Sequence, residues 1–159
     1  MTPRAKVKRA CPTRREAIAG LAVLGLAATG VGPASAEADQ AAEAITALTG
    51  GAKVSTGRVV LVMPELAENG NSVSVRVTVE SPMTVADHVK AIHIVSEKNP
   101  IARVASFHLG PRAGRAEIHT NIRLATTQVV TALAEMSDGR YFSGTQEVVV
   151  TLAACLDPG

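Results

Sequence analysis

The chain has 159 residues, with 16 basic and 14 acidic side chains, a net charge of +2, and two Phe and one Tyr as its whole aromatic content. That is enough chain for one ordinary domain with an aliphatic core, and too few aromatic rings for the stacking platform that single-stranded nucleic acid or sugar recognition uses. The basic charge is concentrated at the front: Arg4, Lys6, Lys8, Arg9, Arg14 and Arg15 face the single acid Glu16 within residues 1–36. The 123 residues that follow hold ten basic and thirteen acidic groups, net −3, which argues against a nucleic-acid partner.

Residues 1–36 read as an export signal. A basic stretch precedes Thr13-Arg14-Arg15, then a charge-free apolar run from Ala17 to Ala28, then Pro33-Ala34-Ser35-Ala36 as an Ala-x-Ala cleavage site. The apolar run is shorter than the ~20 residues a membrane-spanning helix needs. The arginine pair indicates the twin-arginine route, which exports proteins already folded, so the expected location is the periplasm, free of the membrane after cleavage. Removal of the signal takes Cys11 with it and leaves Cys155 as the one cysteine. A lone cysteine in an oxidising compartment has no internal partner, so it is a dimer link or a reactive thiol.

Glu37 to Leu48 reads as a short helix, with Ala41, Ala44, Ile45 and Leu48 as a narrow apolar stripe and Gly50-Gly51 as its stop. Its stripe suits docking onto the domain or a partner. From Arg58 the pattern becomes strands. Val59 to Met63 is a run halted by Pro64, and Glu68-Asn69-Gly70-Asn71 is a turn. Val73, Val75, Val77 and Val79 then alternate with Ser74, Arg76, Thr78 and Glu80, the mark of a half-buried antiparallel strand. Further strands are expected at Lys90–Ser96, Ile101–Leu109, Arg115–Leu124, Gln128–Glu135 and Gln146–Ala154, with a hairpin turn at Ser137-Asp138-Gly139-Arg140. About seven strands at intervals of ten or so residues predict an immunoglobulin-like antiparallel β-sandwich with a short N-terminal helix. The expected organisation is a signal over 1–36, a helix and linker over 37–57, the sandwich over 58–152, and a cysteine arm over 153–159.

Chemistry is sparse. His88, His93, His108 and His119 include no i, i+4 pair on a helical pattern, and they read as ordinary polar or interface residues rather than metal ligands. Ser81, Ser106 and Ser137 lack a nucleophile-elbow context. No base or cation flanks Cys155, and Asp157 sets a like charge near any thiolate. The thiol therefore reads as a group that partner enzymes work on, in a covalent carrier with no catalysis of its own. Two other readings stand beside it: an interaction module whose cysteine forms an intermolecular disulfide, and a metal-binding sandwich built on the histidines.

Several stretches carry a family likeness. Glu68-Asn69-Gly70-Asn71-Ser72-Val73, Ser81 to Val89, Lys98-Asn99-Pro100, Gly114-Arg115-Ala116, Ile122-Arg123-Leu124-Ala125 and Ser137-Asp138-Gly139 occur in the order seen in SoxY, which the chain resembles over nearly all of its length after the signal. SoxY is the sulfur-carrier subunit of the periplasmic thiosulfate-oxidising Sox system. The resemblance implies an immunoglobulin-like sandwich with an N-terminal helical segment, paired with SoxZ, a subunit without its own signal. It implies that Cys155 is the covalent attachment site. A haem-containing partner would conjugate thiosulfate to it, a hydrolase would release sulfate, and a sulfane dehydrogenase would oxidise the sulfur that remains. No cofactor or metal is implied for the chain itself. The tail departs from the family's Gly-Gly-Cys-Gly-Gly: Ala153-Ala154 and Leu156-Asp157-Pro158-Gly159 frame the cysteine, and alanine and proline restrict the backbone more than glycine does.

Overall fold

The computed structural model describes residues 33–154. The signal read over residues 1–36, apart from its last four positions, and Cys155 with the residues after it lie outside the described residues. Helix α1 spans Pro33–Thr49, starting four residues before the expected helix. It ends as the sequence indicates. Gly50 and Gly51 have φ of +61° and +82°, and the Gly51 N–H donates to the Thr46 carbonyl at 3.2 Å, satisfying a carbonyl of the last turn. Among the described residues, no helix is long and apolar enough to cross a membrane.

Among the described residues nine strands follow: β1 (Val54–Thr56), β2 (Val59–Val62), β3 (Leu66–Asn69), β4 (Val73–Val79), β5 (Val89–Ser96), β6 (Arg103–His108), β7 (Ala116–Ile122), β8 (Gln128–Met136) and β9 (Tyr141–Leu152). A large sheet runs β1-β9-β8-β5-β6 with β3 also on β9, and a small sheet runs β2-β4-β7. The mainly β, immunoglobulin-like sandwich is as expected. The alternation of β4 places Val73, Val75, Val77 and Val79 in the core at 3% exposure or less, with Ser74, Arg76 and Thr78 outside. From the large sheet, Ile92, Ile94, Val130, Ala132, Ala134 and Val148 meet them, so the core is filled by branched aliphatic side chains.

Part of the outer face of the large sheet is also covered. Ala91, Val95 and Leu133 are at most 1% exposed although they point away from the inter-sheet core. Helix α1 lies against β5, with Ala41 buried and Ala44, Ile45 and Leu48 half-buried. The Tyr141 hydroxyl donates to the Leu48 carbonyl at 3.4 Å, which ties the last turn of the helix to β9.

The strand register corrects the sequence reading in three places. The sandwich is not wholly antiparallel: β1 and β3 both pair with β9 in parallel, Val54 opposite Tyr141 and Leu66 opposite Val149. Strand Leu66–Asn69 takes in the first half of the turn expected at Glu68-Asn69-Gly70-Asn71, which begins at Gly70 instead, and the last strand starts at Tyr141 rather than Gln146. The reason is a crossing. Between β1 and β3 the chain leaves the edge of β9, contributes β2 to the small sheet, and returns. At the crossing, a Cβ on Gly144 would lie 2.7 Å from the Val59 carbonyl oxygen, so only glycine lets β2 pass that close. Just beyond, the Gln146 side chain accepts from the Met63 N–H at 3.0 Å and donates to its carbonyl at 2.7 Å, standing in for a strand partner.

Candidate functional site

Strand β9 leads to Cys155, and the chain is held to the sandwich up to the residue before it. The Gly70 N–H donates to the Leu152 carbonyl at 2.9 Å, the Leu124 N–H to the Gly70 carbonyl at 2.8 Å, and the Ala154 N–H to the Leu124 carbonyl at 3.4 Å. Ala154 is 5% exposed. Two threonines tighten the approach: Thr127 Oγ1 accepts from the Val150 N–H at 3.0 Å, and Thr151 Oγ1 donates to the Glu68 carbonyl at 2.9 Å. Packing therefore extends two residues into the stretch read from sequence as a free arm.

Glycine at position 70 makes this clasp possible. A Cβ there would stand 2.2 Å from the Leu124 carbonyl oxygen and 3.0 Å from the Ala154 nitrogen. The φ of Gly70 is not left-handed, so the requirement is close approach of three backbone segments rather than conformational freedom.

The loop that carries Leu124 and Thr127 is itself fixed by a buried amide pair. Asn99 Nδ2 donates to the Arg123 carbonyl at 2.8 Å, and its Oδ1 accepts from the Ala125 N–H and from Gln128 Nε2, both at 2.9 Å. Gln128 Oε1 accepts from the Lys98 N–H at 2.8 Å. Asn99 is 8% and Gln128 2% exposed, so these bonds run in a low-dielectric setting where losing one is costly. Three of the stretches that carry the family likeness, around Gly70, Asn99 and Leu124, thus meet at one end of the sandwich. Sequence reasoning marked these stretches and read Gly70 and Asn99 as turn residues with no part in holding the tail; Gln128 entered only as the start of a strand, and Thr127 was passed over. Their partners lie tens of residues away, and only the placement of Asn99 beside Pro100 hinted at a fixed turn. The surface beside the clasp is apolar: Leu66 and Val149, paired in register, are exposed, as is Leu152.

The histidines do not converge on a metal site. Among the described residues, no group of three or more His, Cys, Asp or Glu is placed to hold an ion. His119 is exposed and bonded to Ser74 Oγ at 3.1 Å, and His88 Nδ1 is 3.1 Å from the Thr84 carbonyl. His93 and His108 are neighbours on β5 and β6, their ring centroids 6.3 Å apart. Burial holds the His93 pKa below the ordinary histidine value; Glu135 opposes that, while His108 and Arg103 add to it.

The family model for the sulfur oxidation protein SoxY matches residues 45–155, from the middle of α1 to Cys155. The chain belongs to the SoxY family. That membership assigns it to sulfur oxidation, as the sequence likeness implied. The sulfur carrier protein SoxY from Chlorobium limicola f thiosulfatophilum has a similar structure, with a TM-score of 0.61, 28% identity, and 72% of this chain and 99% of that one covered. The superoxide reductase (neelaredoxin) from Ignicoccus hospitalis shares the fold at a TM-score of 0.54, with 16% identity over 61% of this chain and 94% of that one. The superoxide reductase from Nanoarchaeum equitans does so at 0.51, with 9% identity over 60% and 100%. At those identities the two reductases share architecture with this SoxY-family chain and nothing more. None of the curated proteins compared with the chain matches it.

Proposed function

We propose that this SoxY-family chain is an exported sulfur carrier that holds thiosulfate-derived intermediates covalently on Cys155 while partner enzymes act on them. The observation that carries the reading is that the family match runs to residue 155, one position past the clasped Ala154. Ala154, the residue directly before Cys155 in the chain, is held at one end of the sandwich, which supports this reading.

The chemistry is that of a thiolate. Loss of the thiol proton and joining of the cysteine sulfur to the terminal sulfur of thiosulfate gives Cys–S–S–SO3⁻ and releases two electrons, which a haem-containing partner takes up. Water attacking the sulfonate sulfur releases sulfate and a proton and leaves a cysteine persulfide, the work of a hydrolase. A sulfane dehydrogenase then takes six electrons from the outer sulfur while three waters supply its oxygens and seven protons leave, giving Cys–S–SO3⁻, and a second hydrolysis releases sulfate and a proton and restores the thiol. The carrier supplies the attachment atom and the surface on which each partner docks, and it needs no metal or cofactor. The exposed Leu66, Val149 and Leu152 suit transient apolar contact with partners at that end. Pairing with a SoxZ-like subunit and export of the folded pair to the periplasm by the twin-arginine route complete the reading.

Cells that depend on this chain for thiosulfate oxidation test it. With Cys155→Ser in place of the wild-type chain, oxidation is expected to stop while the protein persists at its normal level. Continued oxidation at the wild-type rate would overturn the carrier reading and leave the cysteine as a dimer link.

A further inference from the structure

Among the described residues, strand β6 is an edge of the large sheet, and Arg103, Ser106 and His108 are its exposed side chains. The register partner of Ser106 on β5 is His93, which is only 6% exposed, and its Nδ1 lies 2.8 Å from Ser106 Oγ. The His108 ring stands nearly perpendicular to that of His93. Together with Val104 and Ala105 these side chains line a groove of about 380 Å³ on the outer face of the sheet.

The donor inventory of this groove is one-sided. It contains a guanidinium, two imidazoles and a hydroxyl, and no carboxylate lines it. The acid that acts on His93, Glu135 of β8, is engaged by Lys90 of β5. Whichever ring nitrogen of His93 carries the proton, the His93–Ser106 pair keeps one N–H or O–H free. If the hydroxyl donates to Nδ1, Nε2–H is free; if Nδ1–H donates, the hydroxyl proton is free. A metal would find two imidazoles and no third ligand among the described residues.

We propose that this groove binds a small divalent oxyanion of the sulfate class, with Arg103 as its charged anchor and His93, Ser106 and His108 as converging donors. Arginine suits that role because its planar fork matches two oxygens of such an anion. The site lies on the outer sheet face and does not rest on the carrier reading. Binding has a built-in pH sense. Buried His93 favours its neutral form, with Arg103 and His108 on β6 opposing protonation and Glu135 on β8, engaged by Lys90 of β5, favouring it. An anion in the groove adds to the protonated side, so affinity rises as pH falls.

The full-length chain, titrated with sodium sulfate and followed by the histidine ring signals in NMR, tests this against sodium chloride at matched ionic strength. The His93 and His108 rings are expected to shift to saturation with sulfate alone, more tightly at about pH 6 than at about pH 8, while the His119 ring stays unmoved. Arg103→Ala, at an exposed position that should not disturb folding, is expected to weaken binding about tenfold. A linear drift equal to that in chloride, binding unchanged by Arg103→Ala, or saturation by zinc with no response to sulfate would each overturn the proposal.

Discussion

At one end of the sandwich Asn99 and Gln128 are buried and make four hydrogen bonds of 2.8–2.9 Å that fix the loop against which Ala154 rests. At the other end the loops before β5 and after β8 are tied by hydroxyls nearer the surface. Ser137 Oγ accepts from the His88 N–H at 3.2 Å and donates to the Ala86 carbonyl at 3.1 Å, and Thr84 Oγ1 accepts from the Asp87 N–H at 3.0 Å. Both ends use stretches that carry the family likeness, and both turn a polar side chain on backbone groups. They differ in what replaces a lost bond. Water reaches the exposed hydroxyls and takes over their partners, whereas a buried amide that loses its partner stays unsatisfied. The costly positional control therefore lies at the end from which β9 delivers the chain to Cys155.

Substitutions at the two ends sharpen that contrast. Gly70→Ala should have the largest effect, about 3 kcal/mol of lost stability by urea unfolding, because the new Cβ collides with backbone rather than with a yielding side chain. It should also speed labelling of Cys155 by a thiol reagent, since the Ala154 nitrogen is among the atoms the new Cβ meets, at 3.0 Å. Wild-type stability would show that the three segments separate freely. Asn99→Ala should cost about 2 kcal/mol, leaving the Arg123 carbonyl, the Ala125 N–H and the Gln128 amide short of a partner. Its labelling rate should rise as well, because the loop holding Leu124 loses its support. Ser137→Ala, at the opposite end, should cost about 1 kcal/mol and leave Cys155 labelling unchanged. Equal labelling changes from Ser137→Ala and Asn99→Ala would dissolve the distinction between the ends.

The smallest expected effect is a pH dependence centred on neither end. His93 has its folded pKa below the ordinary value of 6.5, so the unfolded chain binds the proton first as pH falls. Its contribution is whole above about pH 6.5 and is lost as pH drops below that value toward the lowered folded pKa. Thermal unfolding midpoints of the wild type should fall across that window more steeply than those of His93→Gln. Parallel curves would show that His93 takes up its proton without cost.

Much of this architecture was legible in the sequence because β4 and the helix stripe follow their own periods. Val73 to Val79 alternates so cleanly that one face could only be core, and Ala41, Ala44, Ile45 and Leu48 repeat at the spacing of a helix. The parallel strands β1 and β3 were not legible. They are three and four residues long, too short to show a period, and their partner is far along the chain. The first part of β9 was not legible either: the expected strand began at Gln146, whereas β9 begins at Tyr141 and carries Gly144 where β2 crosses. The reading of Cys155 rested on elimination, as the one cysteine left once residues 1–36 are taken as a removed signal, and Cys155 lies outside the described residues. The clasp behind it was not legible, because its parts, Gly70, Asn99 and the pair Leu124 and Gln128, lie tens of residues apart and show no common pattern until the fold brings them together.

Covalent storage on Cys155 is tested by the intact mass of the chain isolated from cells that are oxidising thiosulfate. Added mass that maps to Cys155, matches whole sulfur atoms or a thiosulfonate, and disappears with a reductant is the expected result. A bare thiol, or a disulfide-linked pair of chains with no other adduct, would contradict it.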